Sequence, residues 1–404
     1  MDLQTLPLLF LLAGLVLYTV LGGADFGAGF WELTALRDRE VRDHAVHAMG
    51  PVWEANHVWL IFVLVVLWTA YPVAFASIAS TLVIPLFVAA IGIVLRGTAY
   101  ALRAGAYSSR ELAAIDTLFA ISSVLTPFAL GAAVGAVASR RVPVGNAAGD
   151  LVDTWANATS LTIGLLAVLA GAYVSAVFLS ADAVRRGKPA LEDAYRRRAL
   201  VTGVLAGAVA LGALLVVRSD AKPLYHGLVH GRGLVALLVS VAAGVVTLAL
   251  VGARRYEPAR FGAAVAVAAI VAGWALAQSP LLLPGLTVHE AAAPRDTLIA
   301  LIVATLAGAV ILLPSLLLLF RLYLSGRFDP EWSDLPGPPP APRRVAGVSR
   351  AGLALRVSAA LLVAGVALTN VADAAWAHAV GVACLLGFVA AAFPAVAATP
   401  LRPD

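Results

Sequence analysis

Two groups of ionisable residues fall in stretches that are otherwise apolar enough to sit in a lipid bilayer. The first is Gly22-Gly23-Ala24-Asp25-Phe26-Gly27-Ala28-Gly29, with Glu32 seven residues beyond Asp25. Seven residues make two helical turns, so the two carboxyls share a face and lie roughly 10 Å apart. A line of carboxylates can relay protons or bind a cation. Charge inside a membrane helix is costly, which makes Asp25 a functional candidate. Glu32 stays in line with it but reads more simply as the wet end of the helix. Gly23 and Gly27 form a small-xxx-small pair, which lets a second helix approach closely.

The second group is Gly50-Pro51-Val52-Trp53-Glu54-Ala55-Asn56-His57-Val58-Trp59. Glu54 and His57 are spaced i, i+3 and can meet on one face. A half-buried carboxyl beside a histidine can exchange protons near neutral pH. The alternative is a helix N-terminus opened by Pro51, where Glu54 complements the dipole between interfacial Trp53 and Trp59. His57 is then a packed ring. Arg96 lies deep in an apolar run; it either pairs with an acid on a neighbouring helix or subunit, or snorkels to the interface. Asp116 reads as a helix cap, and Asp182 stays open. His226 and His230 have a metal-binding i, i+4 spacing, but the glycines around them favour a loop role. The loop Leu283–Pro294 is a defined turn that caps the bundle, or else touches a quinone head or a partner.

Other chemistries are excluded. A single cysteine, Cys384, rules out a disulfide framework, a zinc ribbon and a four-thiolate cluster. No Cys-x-x-Cys-His is present and no two histidines lie well inside facing spans, so no haem is expected in this chain. There is no phosphate loop and no hydrolase triad signature. The net charge of +5 comes from arginines that punctuate apolar runs, not from a basic face interleaved with aromatics, so no nucleic-acid partner is expected.

The elements that must position these residues follow from composition. The 404 residues are 61% hydrophobic and 13% charged, about half the charge of a soluble domain, and mean hydropathy is +0.92. Eleven runs are long enough to cross a bilayer as helices: 6–33, 52–77, 80–102, 117–138, 157–182, 199–217, 233–252, 261–281, 297–322, 353–372 and 376–397. Nineteen Lys and Arg fall in the odd-numbered connections and six in the even-numbered ones. Basic loops stay cytoplasmic, which puts the N-terminus outside and the C-terminus inside. Residues 326–350 carry six prolines and read as an extended linker between nine spans and a final pair.

The Gly23–Gly29 and Gly50–Ile61 segments, with Leu95-Arg96-Gly97-Thr98-Ala99 and Leu283–Val288 followed by Glu290–Pro294, resemble subunit II of cytochrome bd-type quinol oxidases over roughly residues 1–325. The resemblance implies an all-α bacterial inner-membrane protein whose nine helices form two four-helix bundles plus a peripheral helix. Residues 351–404 then add two spans that cover the partner's lipid face or replace a small accessory subunit. It also implies a partner, subunit I, carrying haems b and d and the quinol site, in a complex that oxidises quinol and reduces dioxygen to water. Subunit II would bind no haem or metal and hold no catalytic centre. It would stabilise the complex, hold a structural quinone or lipid, and lend acids to a proton route from the cytoplasm. Asp25 and Glu54 match the family's acidic positions; Glu32 and His57 are further pathway candidates. Arg96, Trp53, Asn56, Trp59, Gly23 and Gly27 are structural or inter-subunit candidates. The family usually has Asp-Gly-Phe-Asp before the glycines, and here the first Asp is replaced, which leaves any shared role to Asp25. Two other readings stay open: a secondary transporter using Asp25 and Arg96, although no second copy of the Asp25 segment exists, and a purely structural membrane subunit.

Overall fold

The computed structural model describes residues 2–34, 39–48, 50–103, 109–324, 357–358, 360–365, 367–368 and 374–397. The chain divides into two units, Met1–Leu335 and Pro336–Asp404. In the first, α1 (Leu6–Leu17), a π-helical turn (Tyr18–Gly22) and α2 (Gly23–Thr34) form one continuous apolar rod. Then come α3 (Arg39–Ala48), α4 (Gly50–Ala70), α5 (Pro72–Thr81), α6 (Val83–Arg103), α7 (Ser109–Ala138) and α8 (Ala158–Arg185). They are followed by α9 (Pro189–Asp220), α10 (Lys222–Val229), α11 (Gly233–Gly252) and α12 (Tyr256–Gln278). A hairpin of β1 (Leu281–Leu283) and β2 (Leu286–Thr287), a short α13 (Val288–Ala291) and α14 (Arg295–Leu324) complete the unit. In the second unit, α15 (Ala375–Ala397) packs on the described part of the 353–372 run, with Gly365 against Leu385.

Eight helices among the described residues are long and apolar enough to cross a membrane, where the sequence predicts eleven spans. The run 52–77 is not one rod: it breaks at Tyr71, and Pro72 opens α5, because proline lacks the N–H that would continue α4. The 353–372 run lies partly outside the described residues and the linker 326–350 wholly so. Several helices also begin earlier than hydropathy indicates. α7 starts at Ser109, so Asp116 sits inside a helix and is not the expected cap. α9 starts at Pro189 and continues the helix through a charged, polar turn before the apolar run. Prolines in the first turn of α1, α5, α9 and α10 fit the helix-start preference. Asn157 caps α8 by accepting from the Ser160 N–H.

Packing is densest around α8, which lies against α2, α7, α9 and α12. Its core joins Ala24, Ala28 and Trp31 of α2 to Val174, Val177 and Tyr195 of α8 and α9. A second core sits where the hairpin folds over the α4–α5 break: Leu283, Leu286 and Val288 pack on Ala70, Tyr71 and Leu82. The Leu283–Pro294 loop is therefore a built cap. Gly285 turns at φ +74°, Thr287 and Glu290 form a capping box, and Ala293 N–H donates to the Ala70 carbonyl. At the same end, Arg141 donates twice to Asp220 (2.7 and 2.9 Å), whose carboxylate also accepts from the Thr159 N–H and hydroxyl. This ties the ends of α7, α8 and α9 together.

Candidate functional site

Asp25 sits in the first turn of α2 and is 2% exposed. It can be so deep because α2 and α8 touch through backbone. A Cβ on Gly27 would lie 2.1 Å from the Gly171 carbonyl oxygen, and one on Gly23 would lie 3.4 Å from the Gly171 Cα. Arg96 of α6 reaches the same depth at 1% exposure. Its Nη2 donates to Asp25 Oδ1 at 2.6 Å and to the Asp25 carbonyl at 2.9 Å. Its Nη1 donates to Ser123 Oγ on α7, and that hydroxyl donates in turn to the Phe119 carbonyl. The guanidinium carbon lies 4.1 Å from the Phe119 ring centroid and 4.9 Å from that of Phe26, close enough for cation–π attraction. Gly29 leaves room for this arrangement, since a Cβ there would collide with Ser123 Oγ and Arg96 Nη1. Three helices thus meet at a buried ion pair, with a planar guanidinium matched to its acceptors as such a pair requires in an apolar interior.

Around the pair lie residues of α4 and the π turn. Asn56 is fully buried. The His57 ring meets Phe26 edge-on at 6.5 Å between centroids. Trp59 is buried in a cluster with Tyr18 and Phe26. Glu32 is 2% exposed, and the expectation of a wet helix end fails: Trp31 beside it donates to the Ala172 carbonyl and holds this end of α2 on α8. The side chains of Trp53 and Glu54 lie outside the described residues, and with them the proposed Glu54–His57 contact. Asp182, left open by the sequence, accepts from Arg185 and Arg186 and lies 3.0 Å from His44 of α3.

The model of the family described as cytochrome bd terminal oxidase subunit II matches residues 3–323. The chain belongs to that family. It is similar to a protein of Bacillus subtilis (strain 168) provisionally named cytochrome bd menaquinol oxidase subunit II. The two are 23% identical over 76% of this chain and 92% of that protein. It is also similar to the cytochrome bd ubiquinol oxidase subunit 2 of the same organism, 28% identical over 28% of this chain and 33% of the relative. A chain of the solved bd oxidase structure from Geobacillus thermodenitrificans superposes with a TM-score of 0.64 at 27% identity, covering 80% of this chain and 99% of that one. With eight apolar helices, this bd oxidase subunit II relative is a multi-pass membrane protein and part of an oxidoreductase complex.

His44 faces Asp182 and His57 faces Phe26. His226 and His230, 5.3 Å apart between centroids, are exposed in the connection between α9 and α11, His226 in the last turn of α10 and His230 just past it. Among the described residues no three His, Cys, Asp or Glu side chains converge to hold a metal. Sequence reasoning missed Ser123, Phe119 and Tyr18. A serine or an aromatic in an apolar helix carries no signal of its own, although Tyr18 stands two turns before Asp25 and that spacing could have found it.

Proposed function

We propose that this chain is the non-haem subunit II of a quinol:dioxygen oxidoreductase. It stabilises a haem-bearing subunit I and contributes Asp25, with Glu54, to proton uptake from the cytoplasm. The buried Asp25–Arg96 pair carries the reading, because a membrane protein keeps a carboxylate at 2% exposure only against a high desolvation cost. Quinol is the substrate class common to the names of both bacillary relatives; the haems that pass its electrons to dioxygen belong to subunit I. Residues 1–325 form the family domain, 326–350 a cytoplasmic linker and 351–404 an added two-span unit. The basic bias of the odd-numbered connections supports an outside N-terminus and a cytoplasmic C-terminus. Glu32 and His57 extend the proton route, while Asn56, Trp59, Gly23 and Gly27 hold its walls.

The test is Asp25→Asn and Glu54→Gln in the complex with subunit I, reconstituted into vesicles. Proton uptake from the inner side should slow by about a hundredfold or more, as for loss of a positioned proton-transfer group, with haem spectra unchanged. Wild-type turnover and uptake in both variants would sink the reading. The contacts of Arg96 with α2 and α7 also favour a structural role for the pair; that role alone predicts loss of assembled complex with normal uptake in what remains.

A further inference from the structure

The first membrane helix changes its winding at Tyr18–Gly22, the π turn just before Asp25. Such turns recur at functional sites because the wider winding moves a side chain off the regular face. Here it accompanies a buried phenol. Tyr18 is 7% exposed and its ring lies against Gly22, where an added Cβ would be 3.4 Å from the ring and 3.6 Å from Asn56 Nδ2. Asp25 follows Gly22 by three residues in the first turn of α2, with Arg96 bound to its carboxylate. Four polar atoms in this neighbourhood are buried without a hydrogen-bond partner among the described residues: Tyr18 Oη, Asn56 Oδ1, Asn56 Nδ2 and Asp25 Oδ2. Buried polar atoms are seldom left so, and interiors satisfy them with ordered water. The set suits water in particular. The phenol donates or accepts, the amide does both, and the carboxylate oxygen only accepts, which matches a molecule with two donors and two acceptors. A cation is poorly served, since the carboxylate among these groups already faces Arg96.

We propose that Tyr18, Asn56 and Asp25 Oδ2 form an internal water site and that water held there passes protons along the route. The proposal rests on the proton-uptake reading above and deepens it. A proton arriving on the water oxygen forms one O–H bond, and a different O–H bond of the same molecule breaks to release a proton to the next acceptor. Water is regenerated and no co-reactant is consumed. The Asp25 carboxylate offsets the transient positive charge, and Tyr18 and Asn56 are positioning residues that orient the water.

The experiment uses the intact complex with subunit I, in vesicles, as wild type and as Tyr18→Phe, Asn56→Ala, Asn56→Ser and Asp25→Asn. Infrared difference spectra in ordinary and oxygen-18 water read internal water directly. Wild type should show an isotope-sensitive water band on turnover that Tyr18→Phe and Asn56→Ala lose or shift. In both, proton uptake should slow by about tenfold, the rate cost of one ordinary hydrogen bond, with unchanged haem spectra and complex yield. Asn56→Ser, which keeps a hydroxyl, should recover part of the rate; a merely structural role would not produce that order. An unaltered band in Tyr18→Phe and Asn56→Ala overturns the water site, and slow uptake in Asp25→Asn alongside it leaves the proton reading standing. Wild-type uptake in Asp25→Asn overturns the proton reading itself, whatever the band does.

Discussion

Arg96 and Asp25 depend on each other more than either depends on its own helix. Removing one partner leaves a buried charge without compensation, so Arg96→Met should destabilise the assembled complex by about 3–5 kcal/mol. Thermal melting in detergent measures it. Adding Asp25→Leu to Arg96→Met removes the orphaned charge and should recover most of that loss; a double variant no more stable than the single one would refute the coupling. The sequence marks both residues as costly in an apolar span, but it does not pair them. They lie on α2 and α6 and meet where α7 sets Ser123 and Phe119 against the guanidinium. Glu32 teaches the same lesson from the other side: its position near the end of a helix suggests water, while its 2% exposure comes from the helices packed around α2.

Among the elements, the closest contact is that of α2 with α8. Gly27→Leu puts a side chain where the Gly171 carbonyl already lies 2.1 Å from a Cβ, so the helices must part. A loss of about 1–3 kcal/mol or more is expected from such overpacking, read as a lower melting temperature of the complex. Gly23→Ala, with its nearest contact at 3.4 Å, should be far milder. The hairpin cap gives a pH signature. Hydrogen bonds from the Thr287 backbone N–H and then its hydroxyl hold the Glu290 carboxyl below its usual range. A folded value lowered in this way contributes stability that is fully present above the unfolded carboxylate pKa of about 4.3 and is lost as pH falls through the folded value. Hydrogen exchange of the hairpin amides should therefore be faster in Glu290→Gln than in wild type at neutral pH, and the difference should shrink below about pH 4. The small-xxx-small spacing was legible because it is local; the hairpin's fit over the α4–α5 break was not, since it joins residues some two hundred positions apart.

At the scale of the molecule, the family match ends at residue 323 and the second unit begins at Pro336. If residues 351–404 cover the partner's lipid face, deleting 326–404 should lower the yield of assembled complex while leaving turnover per haem unchanged in what assembles. Unchanged yield and activity would count against that role. The sequence by itself determined the class of molecule, most of the membrane helices, the subunit II family and the two acids worth testing. Those features rest on hydropathy and short-range spacing, which are properties of contiguous residues. Only the tertiary structure decided that Arg96 answers Asp25, that Glu32 is buried, that His44 faces Asp182, and that Tyr18 and Asn56 stand beside the ion pair. Each depends on which helices pack together and how closely their glycines let them approach. In a chain that is 61% hydrophobic, nearly every helix is apolar on all sides, so the pattern along one helix does not name its neighbour.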